Sequence, residues 1–337
     1  SAPNQKSWSK WHARLHKRLK KNEFLLPNKS TLLLAVSGGQ DSMALLKLIF
    51  DLRRLYEWNI EVWHGDHQWH DSSNKFAEEL NNWCNNKKIN FYSIQAKKEE
   101  VNNENMARNW RYLHLIIRAK FLSTTNPKYP CKRILTGHTA TDRAETILMN
   151  LARGTDLIGL STLKEHRKLE KYIDLVRPII GFSRNETREI CEKFNLPILI
   201  DPSNANLNLT RNRIRNKVLP ILDSIHKGAD LRIGALANRF ENYSKDEIIF
   251  ANIVLEHCKE KESLSRDKII NFPNSVRKTL LATWLKKSGI NKFTSLQIEE
   301  LNYKISINKP PGKLSFHGGF IVSWNKQIIK VELKKNN

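Results

Sequence analysis

One stretch near the amino terminus limits the fold more than any other. Thr31-Leu32-Leu33-Leu34-Ala35-Val36 is an apolar run of strand length, and Ser37-Gly38-Gly39-Gln40-Asp41-Ser42 follows it. Apolar residues then recur at Met43, Leu46, Ile49, Phe50 and Leu55. The pattern predicts a strand, a glycine turn and a helix. Two adjacent glycines let the backbone take φ > 0 and come close to a ligand. Ser42 or Asp41 is expected to cap the helix start, whose free N–H groups and positive dipole end attract phosphate. In a parallel sheet such a turn lies at the carboxyl ends of the strands, where nucleotides bind. The plain alternative is an ordinary strand-to-helix turn, and the flanking serines and Asp41 argue against it.

The alternation continues along the chain. Ile60–His64, Ile89–Ile94, Arg133–Thr136, Tyr172–Val176 and Ile198–Ile200 read as strands. Helical stripes follow Phe76, and helices are predicted over Met106–Phe121, Thr141–Ala152 and Arg184–Phe194. This order implies an α/β fold, a doubly wound parallel sheet with helices on both faces. Upstream, Trp8, Trp11, Leu15 and Leu19 form a stripe suited to a first helix of the fold rather than a transit peptide. After about residue 220 the pattern changes. Residues 231–260, 276–287 and 294–305 look helical; Leu314–Trp324 and Gln327–Leu333 alternate with period two around Asn325-Lys326, as a hairpin does. Arg211–Leu222 reads as a basic joining helix. We therefore divide the chain into a nucleotide-binding domain, 1–215, and a linker helix with a small, mainly helical domain ending in a β-hairpin, 216–337.

Charge narrows the partners. The chain of 337 residues carries 57 Lys and Arg against 34 Asp and Glu, a formal +23. An enzyme acting only on small metabolites has no need of that excess, whereas a polyanion partner explains it, because each neutralised phosphate releases counterions. No apolar run approaches the roughly 20 residues that span a bilayer. Cys84, Cys131, Cys191 and Cys258 lie far apart with no C-x-x-C pair, which gives zinc, cluster and dithiol chemistry no support and suggests a reducing compartment.

Three further segments carry chemistry. In Ala107-Arg108-Asn109-Trp110-Arg111-Tyr112 the two arginines are three apart and share a helix face, so both can meet one anion. In Thr136-Gly137-His138-Thr139-Ala140-Thr141-Asp142-Arg143-Ala144-Glu145-Thr146, the carboxylates of Asp142 and Glu145 share a face at a strand end and suit an ammonium group or Mg²⁺. An acidic first helical turn is the structural alternative. Asp201-Pro202-Ser203-Asn204 precedes Leu209-Thr210-Arg211-Asn212-Arg213-Ile214-Arg215, a cation cluster suited to RNA backbone or to stitching the linker to the first domain.

No G-x-x-x-x-G-K-[ST] run exists, which removes Walker-type kinases and GTPases. The strand–SGGxDS–helix unit resembles the PP-loop ATP pyrophosphatases, whose loop holds ATP while it is cleaved between the α and β phosphates. Taken in order from about Thr31 to Pro220, the segments resemble the tRNA(Ile)-lysidine synthases: SGGQDS, Asp66-His67, ARNWRY, TGHTATDRAET, the Leu151–Leu160 loop, Arg177-Pro178, and DPSN with RNRIR and LP. Thr139, Thr141 and residues 68–73 depart from the usual family pattern, Thr139 standing where a second His is common.

The resemblance implies a short form of that family. It implies ATP bound by Ser37, Gly38, Gly39, Gln40, Asp41 and Ser42, with Mg²⁺ carried by the phosphates and no dedicated protein site. Asp41, Arg108, Arg111, His138, Asp142 and Glu145 would be catalytic, and Asp142 and Glu145 would hold free L-lysine. Arg211, Arg213, Arg215 and Lys217 would grip a tRNA(Ile) with a CAU anticodon. A bacterial cytoplasm is the expected location, plastid stroma the alternative, with a homodimer as candidate assembly and no membrane contact. The nearest rival, a PP-loop tRNA thiolase, generally depends on cysteines that this chain does not group.

Overall fold

The computed structural model describes residues 8–68, 73–155, 157–199 and 206–333. The segment Asp201–Asn204 and residues 69–72 lie outside the described residues. Two compact units form, Ser1–Phe240 and Glu241–Asn337.

The first unit opens with α1 (Lys10–Lys21), then β1 (Thr31–Ala35), α2 (Gln40–Tyr56), β2 (Asn59–Asp66), α3 (Ser73–Asn86), β3 (Asn90–Gln95), α4 (Glu104–Thr125), β4 (Cys131–Thr136) and α5 (Ala140–Ala152). It continues with α6 (Leu157–Leu160), β5 (His166–Glu170), β6 (Ile173–Val176), α7 (Arg184–Lys193), α8 (Thr210–Arg213), a π-helical turn Ile214–Val218, α9 (Leu219–Ile225) and the start of α10 (Ala229–Cys258). The sheet runs β3-β2-β1-β4-β6-β5 and is parallel except for β5. Leu32, Leu33 and Leu34 of β1 have no exposed surface, because a central parallel strand is covered on both faces. From β1 the chain moves one way to β2 and β3, then crosses to β4 on the other side. The strand order reverses between β1 and β4, and a crevice opens there beyond the strand ends.

Local chemistry explains where the sequence pattern fell short. Trp11, Leu15 and Leu19 of α1 are buried, but Trp8 is 53% exposed; the fourth buried position belongs to His12. His12 shares a capping box with Ser9 and meets Asp51 at 3.1 Å. Strand β5 escaped the pattern because its charged residues suit a sheet edge. Ile198 and Leu199 form no strand; the Leu199 N–H instead donates to the Gly38 carbonyl.

The second unit holds the rest of α10, β7 (Lys259–Glu260), β8 (Ser263–Ser265), α11 (Arg266–Ile270), α12 (Asn274–Lys287), α13 (Ser295–Lys304), β9 (Gly312–Ser315), β10 (Phe320–Trp324) and β11 (Ile328–Leu333). The expected hairpin β10–β11 is present, inside an antiparallel sheet ordered β7-β8-β11-β10-β9. Leu314–Trp324 is not one strand: Gly318 and Gly319 both take positive φ and turn the chain between β9 and β10. Leu281, Leu285, Leu301, Val322 and Ile329 pack in its core without exposed surface.

All four cysteines are free and buried, and burial pushes the thiols of Cys84, Cys131 and Cys191 up to about 12.

Arg266 is the polar anchor of the second unit. It is 4% exposed and donates to the carbonyls of Ile305, Asn325, Ser306 and Lys309 at 2.7–3.0 Å. Leaving one buried acceptor open costs about 1–3 kcal/mol. Arg266→Met is therefore expected to destabilise the second unit by at least about 3 kcal/mol, read as a lower urea midpoint. An unchanged midpoint would show that water replaces the guanidinium freely.

Candidate active site

The crevice between β1 and β4 holds a cavity of about 390 Å³. Ser37 and Gly39 line it from the loop after β1, Asp41 and Ser42 from the start of α2, Asp66 and His67 from the end of β2, Gly137 and His138 from the loop after β4, and Asp142 from the start of α5. Arg111 reaches it from α4 and Arg184 from α7.

Two glycines make this approach possible. Gly38 has φ +90°, and a Cβ there would strike the Phe76 ring. A Cβ on Gly137 would lie 2.8 Å from backbone atoms of Asp41 and Ser42, so β4 and α2 meet backbone to backbone. Neither Ser42 nor Asp41 caps α2 as the sequence suggests. Gly39 is the N-cap, and no side chain accepts from the first turn. Ser42 Oγ donates to the Gly39 carbonyl at 2.9 Å, and Asp41 turns elsewhere. The first-turn N–H groups are thus left available to an anion.

Asp41 accepts from Arg184 Nη1 at 2.7 Å and from the Thr187 hydroxyl. Gln40 faces the same helix, donating to the Arg184 carbonyl and to Thr187. No local signal in the sequence marks Arg184 and Thr187; only the packing of α7 on α2 joins residues more than 140 positions apart. Burial raises the Asp41 carboxyl to about 6, against the opposing pull of Arg184.

The arginine pair of α4 divides. Arg111 lines the cavity, and burial lowers its pKa. Arg108 is exposed beside the Tyr112 ring at 5.4 Å and does not line the cavity. Burial and nearby Arg111 bring His67 down to about 4. Burial likewise brings His138 down to about 3, against Asp142, so its ring is neutral; Nδ1 lies 2.9 Å from the Thr136 hydroxyl.

Asp142 and Glu145 sit where β4 enters α5. Thr139 is the N-cap of α5, and its N–H and hydroxyl donate to Asp142 Oδ2 at 2.7 and 3.0 Å. Thr141 donates to Asp230 at 2.6 Å and accepts from the Arg184 N–H. Both departures from the usual family residues therefore have structural work.

Glu145 has no exposed surface and does not line the cavity. It accepts from Arg211 Nε at 2.6 Å and from Arg215 Nε and Nη2 at 2.5 and 3.0 Å. Arg211 Nη2 also donates to Asp142 Oδ1 at 2.8 Å. Burial opposes the charge on Asp142, but Arg211, the Thr139 N–H and Arg215 outweigh it and hold the carboxyl below its usual range. Arg211 and Arg215 thus face inward and stitch the linker to α5. Arg213 and Lys217 are exposed, with no ion pair among the described residues.

The PP-loop domain family matches residues 9–222. A tRNA(Ile)-lysidine synthase of Prochlorococcus marinus (strain NATL1A) is 59% identical over 325 residues, 96% of this chain and 100% of that one. The namesake from a second strain of that species is 49% identical over 327 residues, 97% of each chain. Among solved structures, the U34-tRNA thiolase NcsA from Methanococcus maripaludis with its 4Fe-4S cluster superposes with a TM-score of 0.53 at 18% identity. That match covers 69% of this chain and 79% of the thiolase and concerns the fold.

Asp41 offers a direct check of the site's electrostatics. Its folded pKa lies above the unfolded value of 3.8, so the native state keeps the proton longer. The stability linked to it is fullest below pH 3.8 and falls as pH rises towards about 6. In the ligand-free protein the Asp41 carboxyl carbon is expected to titrate near 6 by NMR, and higher still in Arg184→Met. A midpoint near 4 in both proteins would contradict this geometry.

Proposed function

This chain belongs to the tRNA(Ile)-lysidine synthase family of PP-loop enzymes, and on that premise we propose how its residues carry the reaction. It is an ATP-dependent ligase that joins L-lysine to C2 of the wobble cytidine in the CAU anticodon of an isoleucine tRNA. The product, lysidine, changes codon reading and aminoacylation from methionine to isoleucine.

In the first step the C2 carbonyl oxygen attacks the α-phosphorus of ATP, the α–β bridging bond breaks, and pyrophosphate leaves. Ser37, Gly38, Gly39, Gln40, Asp41 and Ser42 form the ATP site. The uncapped N–H groups of α2 and the charge of Arg111 face the developing negative charge. Mg²⁺ would be carried by the ATP phosphates, with no dedicated protein site assigned, and would supply charge neutralisation there. Arg108, exposed on α4 three residues before Arg111, is assigned to incoming phosphate rather than to the cavity.

In the second step the lysine ε-ammonium gives one proton to the Asp142–Glu145 carboxylate pair, the free amine attacks C2, the C2–O bond breaks, and AMP leaves with the oxygen. Asp142 and Glu145 receive the lysine ammonium. In the ligand-free chain two guanidiniums already neutralise these two carboxylates. The ammonium therefore enters by replacing a guanidinium, not by joining both. Neutral His138 offers a ring N–H to the reacting oxygens. Arg213 and Lys217 contact the tRNA backbone, and Arg211 and Arg215 join them once displaced.

On this reading residues 1–215 are catalytic and 216–337 serve the tRNA. We propose a homodimer in a bacterial cytoplasm, with plastid stroma as the alternative. No described helix is long and apolar enough to cross a membrane. What supports the reading most is the convergence of the loop, Arg111, His138 and Asp142 on one cavity. A thiolase reading has less support, since none of the buried cysteines lines that cavity.

Incubation with the tRNA, ATP and labelled lysine is expected to give lysine-dependent AMP release with label on the tRNA; neither product would defeat the reading. Asp41→Ala should slow formation of the AMP adduct at least about 100-fold while tRNA still binds. Glu145→Gln should keep the adduct but raise the KM for lysine about tenfold, the loss of one charge-assisted contact. An unchanged lysine KM would remove Glu145 from the amine site.

A further inference from the structure

The second unit contains a polar cleft that the reaction above does not use. Asn274, Arg277 and Lys278 line it from α12, and Glu299, Asn302 and Tyr303 from α13. Each set is spaced i, i+3, i+4, so one face of each helix contributes. The cleft measures about 460 Å³. Leu281 and Leu285 of α12 and Leu301 of α13 fill the inner side of this helix pair, and the cleft is a separate, polar side of it.

The seam also keeps open hydrogen-bonding groups. Asn302 is 6% exposed, and its Nδ2 donates to Asn274 Oδ1. Its Oδ1 is buried with no partner among the described residues. Arg277 Nη1 donates to the Ile270 carbonyl at 3.2 Å, but its buried Nε has no partner among the described residues. An acceptor and a donor left open are unfavourable unless something occupies the cleft.

The rim defines the chemistry of the occupant. Tyr303 is 63% exposed and offers a stacking face. Lys309 Nζ donates to its hydroxyl at 2.7 Å and lies 4.1 Å from its ring centroid. Lys278 pairs with Glu299 at 3.4 Å. Arg277, Lys278 and Lys309 outnumber that single acid, leaving charge for a phosphate. An acceptor beside a donor suits a base or ribose edge, and an exposed ring suits an unstacked base.

We propose that this cleft binds one unpaired nucleotide of the tRNA. The proposal rests on the tRNA reading above. The wobble cytidine must reach ATP in the first unit, so the nucleotide held here is a different one.

The test uses the full-length protein with tRNA and, separately, with AMP. Tyr303→Ala alters an exposed side chain and should weaken tRNA binding about tenfold, the size of one lost stacked base. Lys278→Ala should reduce the slope of log Kd against log salt by about one. A benzoylphenylalanine at position 303 should crosslink to a nucleotide other than the wobble cytidine. Circular dichroism controls the folding of each variant. Unchanged tRNA affinity and salt slope in both variants would overturn the proposal and leave a water-filled seam. AMP binding lost in Tyr303→Ala with tRNA affinity intact would also overturn it, in favour of a free nucleotide. If wild-type protein binds tRNA without joining lysine to it, the activity reading fails, and the affinity comparison still decides the cleft.

Discussion

A carboxylate with no exposed surface controls much of the first unit. Glu145 cannot stay ionised alone in that position, because removing an unpaired charge from water costs several kcal/mol. The chain must return 66 and 70 residues later to supply Arg211 and Arg215. That return fixes the linker segment on α5. It also ties the linker to the amino-terminal turn of α5, since Asp142 shares Arg211 while closing that turn with Thr139. The π-helical turn Ile214–Val218 contains Arg215, and wide turns of this kind often accompany functional positions.

Asp142, Glu145, Arg211 and Arg215 form a charge-balanced quartet. A neutral quartet tolerates burial far better than two bare carboxylates, so it is stable without any further cation. The same balance means that a group replacing either guanidinium would have to bring both a positive charge and donors of comparable geometry.

Much of this architecture was legible in the sequence because its signals are local. Leu32–Leu34, Gly38-Gly39 and the stripe of α2 report their surroundings directly, as do the order and spacing of the family motifs. Signals failed where partners come from afar. The partner of Asp41 is Arg184, which looks like any basic residue in a helix start until α7 packs on α2. Arg108 and Arg111 share a helical face by spacing, yet only Arg111 reaches the cavity. The alternating arginines at 211, 213 and 215 read as one cluster, whereas alternate positions on a helix point in different directions. Asp41 could not serve as a cap while bonded to Arg184 and Thr187, and that competition is invisible without the fold. Strand β5 carries the charges of an edge and so lacked the apolar signature of its neighbours.

The cysteines carry a practical consequence. Each is buried, and the thiols that burial drives to about 12 hold almost no thiolate at neutral pH. Maleimide and disulfide reagents act on thiolate at the surface, so the folded chain offers them little to react with. A single cysteine introduced on an exposed helix would then be modified almost alone. The native sequence is in effect a quiet background for site-specific dyes and spin labels, with no need to strip out its own thiols first.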